Sequence, residues 1–379
     1  MKSSLQRQAG QVGWSFANGP VKAFLTRTGG HLAPVTFRLG RKNVMPFSIA
    51  PWNDEPLPGV PTMLRVLRGD FFCAPFGGNA AAYRGERHPP HGEPANRDWT
   101  FQSLERADDA VTLHASIHTH IRRGRIDKRL TLRDGHAAVY CEHVMSGFRG
   151  PMSIGTHPML HFPEAAGPAN ITTSAFRVGH VVPSGWETPA AKGYSYLQTG
   201  ATFTSLRRVP HREGGTVDLS VFPARRGYEE LVQLVSDETK RYAWNAVTIP
   251  GAGYVFFTLK DPRVLRETVL WFSNAGRHYP PWNGRHFNVL GVEDVTAYFH
   301  LGLADSAKAN RLTRAGHPTA VQLSPRRPLR VAHILAMAAI PRGFDAVKSI
   351  TRQGDGVKLT ARSGRSVSVP LDVDFVTGR

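Results

Sequence analysis

Cysteine is scarce in this chain. Cys73 and Cys141 are the only two in 379 residues, too few for a disulfide framework, and this points to a reducing compartment, the cytoplasm. Long apolar runs are missing as well. Nothing approaches the roughly 20 residues a membrane span needs, and the opening MKSSLQRQAGQVGWSF has no continuous apolar stretch for a signal peptide. Gly-x-Ser-x-Gly, phosphate-loop and dinucleotide fingerprints do not occur, which argues against those enzyme classes. Helical periodicity is scarce too: residues 228–235 and 331–339 are its modest candidates, and the first competes with a strand.

Acidic residues are outnumbered, 29 against 47 Lys and Arg, for a net charge of +18. Such an excess invites a nucleic-acid reading. The basic residues are scattered, however, with no run longer than pairs such as Arg207-Arg208, Arg225-Arg226 and Arg326-Arg327. No zinc-finger spacing, RNA-recognition aromatic motif or basic heptad region accompanies them, so no nucleic-acid partner is expected. The charge suits a basic cleft for an anionic sugar at least as well.

What is abundant is strand patterning. Residues 111–121 alternate, with Val111, Leu113, Ala115, Ile117 and Ile121 on one face. Residues 125–133 and 137–145 flank Asp134-Gly135, a hairpin signal. Further strand-like runs cover 171–178, 231–235, 254–259, 268–272, 289–292 and 297–303. Twenty-eight prolines and 37 glycines suit many short strands joined by irregular loops. The expected fold is all-β, a large antiparallel β-sandwich formed by residues 1–305. Residues 306–379 read as a basic connection and a small β-rich extension, with strands at 347–350, 357–361 and 366–371. At that size the extension is expected to pack on the sandwich rather than fold alone.

Four fragments carry the chemistry: Arg68-Gly69-Asp70-Phe71-Phe72-Cys73-Ala74-Pro75-Phe76-Gly77-Gly78-Asn79, His91-Gly92-Glu93-Pro94-Ala95-Asn96-Arg97-Asp98-Trp99, Thr156-His157-Pro158-Met159-Leu160 and Leu290-Gly291-Val292-Glu293-Asp294. In that order, on a strand-rich background, they resemble the aldose 1-epimerase (galactose mutarotase-like) superfamily over roughly residues 20 to 305. In motif they are closest to its hexose-6-phosphate mutarotase-like branch. The resemblance implies a galactose mutarotase-like sandwich that interconverts sugar anomers. That reaction needs one group to take the proton of the C1 hydroxyl and another to protonate the ring oxygen, and an imidazole and a carboxylate suit it near neutral pH.

On that resemblance His157 is the general acid and Glu293 the general base. Arg68, His91, Asn96 and Asn79 hold the sugar, and Arg68 contacts a hydroxyl or an anionic substituent. Glu229 is the nearest match to the family's mid-chain acid, with Asp218 the other option. Trp282 and Trp99, among polar and glycine neighbours, are platform candidates, whereas Trp271 and Phe272 read as core. The chain departs from the family at Asp70, where a glycine is usual, at Glu93-Pro94, at Pro158 and Met159, and at Asp294, where proline is usual. His88, His91, His157 and His161 lack a metal-site geometry, so no metal and no cofactor are expected. The expected ligand is a monosaccharide or sugar derivative, anionic ones included, bound by a monomer or homodimer. Two rivals remain: a non-catalytic carbohydrate-binding protein, and a lyase or epimerase acting on a uronate or keto-sugar, which the aromatic-rich insertion 274–288 favours.

Overall fold

The strands assemble into two large antiparallel sheets packed face to face, seen in a computed structural model that describes residues 4–183 and 185–378. The back sheet has nine strands and the front sheet eight. The alternating run predicted at 111–121 is the strand Ala110–Thr119 of the back sheet, and it buries Val111, Leu113, Ala115 and Ile117. It pairs with Gly124–Arg133, which pairs in turn with Ala138–Ser146. The turn between those two carries Gly135 at φ +74°, the left-handed conformation glycine adopts without strain. Contacts across the sandwich are direct: Asn245 and Thr258 of the back sheet bond Asp294 of the front sheet.

The strands Glu267–Asn274 and Val289–Thr296 are buried at every position. One face of the front sheet meets the back sheet. The other carries Leu231, Trp271 and Glu293, and loops cover it. An N-terminal five-stranded meander, from Gln6–Gln8 to Lys42–Val44, flanks the sandwich. Helices are minor; among the described residues none exceeds five residues, and none is long and apolar enough to cross a membrane.

Two expectations about the chain's organisation need correction. Residues 331–339 are no helix: Leu329–Ala339 is a strand in the middle of the back sheet, between Tyr254–Lys260 and Ala138–Ser146. Val331, Leu335 and Met337 face the sandwich interior, while Ile334, Ala336 and Ala338 face a second core behind it. Burial on both faces removes the alternation that marks a half-exposed strand. Residues 228–235, where helix and strand compete in the sequence, form the strand Tyr228–Ser236. A boundary at residue 305 therefore does not hold, because the sandwich is completed by chain beyond it. The C-terminal strands Val347–Gln353, Gly356–Ala361 and Ser366–Pro370 form their own small sheet. Its Ile350, Val357, Leu359 and Val369 join Trp244, Phe257 and Ile334 in the second core.

Candidate active site

A small pocket opens on the loop-covered face of the front sheet. Strand alternation aims Glu293 into it and Asp294 into the inter-sheet core. His157 follows the strand Ile154–Thr156, and its backbone N–H donates to Asp70 Oδ1 at 2.9 Å. Its ring stacks on Phe71 at 4.6 Å. This places His157 Nε2 at 3.4 Å from Glu293 Oε1. His91, at φ +58°, enters from the loop after two prolines, and its Nδ1 lies 3.3 Å from Cys73 Sγ. The His91 and His157 rings meet edge to face at 4.9 Å.

Across the pocket stands Arg277, whose guanidinium lies over three indoles: Trp282 at 4.4 Å, Trp186 at 5.0 Å and Trp271 at 5.2 Å. Its Nε donates to Glu187 Oε1 at 2.7 Å, and Tyr279 Oη donates to the same carboxylate. Among the described residues neither Nη of Arg277 has a protein acceptor, and the side chain lines the pocket. His300, edge-on to Trp186 at 4.7 Å, lines it as well. Met63, Leu64, Leu67 and Leu231 supply the apolar remainder.

Burial sets the protonation states. Desolvation takes the His157 imidazole down to about 3 and raises the Glu293 carboxyl well above its usual range, against the pull of Arg277. It also lowers His91, and brings His300 to about 4 with help from Arg277. Burial thus favours a neutral imidazole and a protonated carboxyl over the charged pair. Among the described residues His157 Nδ1 is buried without a partner, so an imidazolium there would lack its second acceptor.

Of the residues singled out in the sequence, His91, His157, Trp282 and Glu293 share this pocket. Glu229 lies behind it, accepting from Trp271 Nε1 and Ser273 Oγ at 2.9 Å each, and burial raises it to about 7 against Arg277. Asp218 is elsewhere, accepting from Ser220. Three residues serve loops instead of the pocket. Arg68 is buried, donating to the carbonyls of Val66 and Ala9. Asn96 binds Met63 N and the carbonyls of Pro90 and Gly92. Asn79 donates to the carbonyls of Pro75, Gly77 and Pro89 and accepts from Leu303 N. Irregular loops leave backbone groups unpaired, and these side chains satisfy them. Trp99 is core, donating to Pro94 O, whereas Trp271, read as core, walls the pocket. Arg277, His300 and Trp186 were not singled out. Arg277 and Trp282 lie in the insertion 274–288, whose aromatic content was the available signal.

For a metal, the described residues offer one trio of close donor atoms, Asp70, Cys141 and His333, in the inter-sheet core behind His157. Asp70 Oδ2 already accepts from His333 Nε2 at 3.1 Å, so the trio reads as an ion pair.

No protein-family model and no curated protein sequence matches the chain. Solved structures do match. A galactose mutarotase-like protein from Clostridium acetobutylicum has 11% identity and a TM-score of 0.55, over 89% of this chain and 98% of its own. A galactose mutarotase related enzyme from Lactobacillus acidophilus has 12% identity and a TM-score of 0.52, over 87% and 98%. An aldose epimerase homologue from C. elegans has 12% identity and a TM-score of 0.52, over 89% and 100%. At such identities the likeness is one of fold, and the chain has the galactose mutarotase-like sandwich its sequence led us to expect.

Proposed function

We propose that, on this galactose mutarotase-like fold, the chain interconverts the anomers of a sugar by acid/base chemistry at C1. The observation that carries the reading is the 3.4 Å approach of His157 to Glu293 in a tryptophan-walled pocket. The C1 hydroxyl oxygen and the ring oxygen share one carbon, so a donor and an acceptor this close can address both at once. Together the two side chains hold one proton beyond the imidazole's own N–H. Glu293 enters as the acid and His157 as the base, the reverse of the roles the family resemblance implies. His157 takes the C1 hydroxyl proton while Glu293 protonates the ring oxygen; the C1–O bond to the ring breaks, the aldehyde turns, and the ring closes on either face.

Trp186, Trp271 and Trp282 offer faces for the apolar side of a sugar ring. The free Nη groups of Arg277, with His91 and His300, would hold hydroxyls. Glu187 at 2.7 Å already balances the Arg277 charge, which favours hydroxyls over a phosphate dianion. Two buried, unpaired cysteines suit a cytoplasmic setting.

The test is NMR magnetisation exchange between anomers across neutral aldoses, uronates and hexose phosphates. Acceleration is expected, falling by about 10²–10⁴-fold in Glu293→Gln and in His157→Asn. Sugar binding without acceleration in the wild type would make the chain a carbohydrate-binding protein. Solvent deuterium entering at C2 or C5 would point to a lyase or epimerase. Full activity in Glu293→Gln would remove the mechanism.

A further inference from the structure

Behind the pocket the inter-sheet core contains a charged layer that an apolar core does not need. On the back sheet, Lys260 and His333 are direct cross-strand partners on the adjacent strands Tyr254–Lys260 and Leu329–Ala339, and both side chains are buried. Each reaches across the sandwich to a buried aspartate of the opposite layer. Lys260 Nζ lies 2.8 Å from Asp294 Oδ1 and donates to Glu267 O and Thr268 Oγ1. His333 Nε2 lies 3.1 Å from Asp70 Oδ2.

The two aspartates sit where the pocket's chemistry is anchored. Asp70 uses its other oxygen, Oδ1, to hold the backbone N–H of His157. Asp294 is the residue after Glu293, and Asn245, Thr258 and Thr268 complete its contacts. Asn245 and Thr258 lie on the back sheet, so Asp294 is fixed from both layers. Each member of the His157–Glu293 pair therefore has a tie to the back sheet one residue or one hydrogen bond away.

We propose that His333 and Lys260 are positioning residues that set the His157–Glu293 spacing through Asp70 and Asp294. The proposal rests on the acid/base reading above for its catalytic meaning, while its structural content stands alone. The path through His333 is the sharper one, because Asp70 touches His157 itself. With the His333 donor gone, the Asp70 carboxylate is free to rotate and the N–H of His157 loses its fixed acceptor. A shift of the imidazole by about an ångström then costs on the order of 10²-fold in rate.

Selective ¹⁵N-histidine labelling follows the ring nitrogens of His157, assigned by their loss in His157→Asn, in wild type, His333→Leu and His333→Gln. The expected result is that the His157 signals move in His333→Leu and return toward wild type in His333→Gln, whose amide restores a donor. Where the wild type is active, kcat falls in the Leu variant with KM nearly unchanged, and Gln recovers most of it. If His333→Leu fails to fold, the double variant Asp70→Asn/His333→Leu, with no unpaired buried charge, takes its place and the same displacement is expected. Unmoved His157 signals in a folded variant lacking the His333 donor overturn the proposal, as does an unchanged kcat. Should the wild type accelerate no anomer exchange, the functional reading fails alone, and the NMR signals still decide the positioning.

Discussion

At His157 and Glu293, burial outweighs attraction. Two oppositely charged groups 3.4 Å apart would each stabilise the other's charged form. Yet His157 falls to about 3 and Glu293 rises, because desolvation is the larger cause for both. The pH profile of anomer exchange should show this. Below about 3 the imidazole gains a proton and no base remains. Above the raised Glu293 value the carboxyl ionises and no acid remains. Activity should hold level between these limits and fall on the alkaline side; a profile that instead rises through pH 7 to 9 would contradict the neutral pair. Arg277 offers a separate check. Lysine lacks the planar fork that stacks on three indoles while bonding Glu187, so Arg277→Lys should raise KM about tenfold with kcat held. Isothermal and steady-state titration with the best sugar would show it. These residues also mark what the sequence could tell. His91, His157 and Glu293 were legible because each sits in an ordered motif. Arg68, Asn79 and Asn96 sit in the same motifs, but their hydrogen bonds go to loop backbone, since a polar side chain in an irregular loop is as often needed by the loop itself. Arg277 belongs to no motif, and only folding brings Trp186 and Trp271 around it.

The front sheet presents its chemistry through one narrow place, the pair of strands Glu267–Asn274 and Val289–Thr296. Trp271 and Gly291 are cross-strand partners there, and Glu293 lies opposite Val269. A Cβ at Gly291 would stand 2.6 Å from Glu293 Oε1 and 3.1 Å from Trp271 Cβ. The glycine is thus the space into which the Glu293 carboxyl fits. Gly291→Ala should keep the fold, because the nearer clash is with the end of a side chain, at a cost of about 1–3 kcal/mol for overpacking. It should cost activity far more, on the order of 10²-fold, by turning the carboxyl away from His157. Thermal unfolding and anomer exchange measured on the same sample would separate the two; equal activity in the alanine variant would mean the carboxyl position is not critical. The same strands explain which elements were readable. Ala110–Thr119 has one face toward the core and one toward solvent, so its period shows in the sequence. Leu329–Ala339 lies between two cores, its apolar residues run without alternation, and it reads as a short helix until its partners are known.

Across the whole molecule, buried titratable groups make stability a contest between two sets. Burial depresses nine histidines: His31, His157 and His286 to about 3, His180 and His300 to about 4, His91 and His143 well below normal, and His136 and His161 below it. Burial raises four glutamates: Glu229 to about 7, Glu230 and Glu267 to about 8, and Glu293 well above normal. A depressed histidine contributes stability above its unfolded value of 6.5 and loses it as pH falls toward the folded value. A raised glutamate contributes below its unfolded value of 4.5 and loses stability as pH climbs through the folded value. Between 4.5 and 6.5 the sets oppose each other, and the histidines outnumber the glutamates, so stability rises with pH. Above 6.5 the contribution of the depressed histidines is constant, and the glutamates pull stability down until about 8. His333 adds to that fall: burial opposes it, but Cys141 and Asp70 hold it up at about 10. Below 4.5 the glutamate contribution is constant and the histidines act unopposed, so the acid side is the steeper. Each uncompensated proton is worth about 1.4 kcal/mol per pH unit. Unfolding temperature at fixed ionic strength should therefore peak near pH 6.5, with a sharp acid limb and a gentler alkaline one. Glu230→Gln keeps an acceptor for Tyr196 N and removes one ionisation, so it should flatten the alkaline limb, steepen the rise between pH 4.5 and 6.5 and leave the limb below 4.5 alone. A melting temperature that stays level from pH 6.5 to 9 in the wild type would show that these carboxyls ionise inside the fold without cost, and that the neutral state assigned to Glu293 is wrong with them.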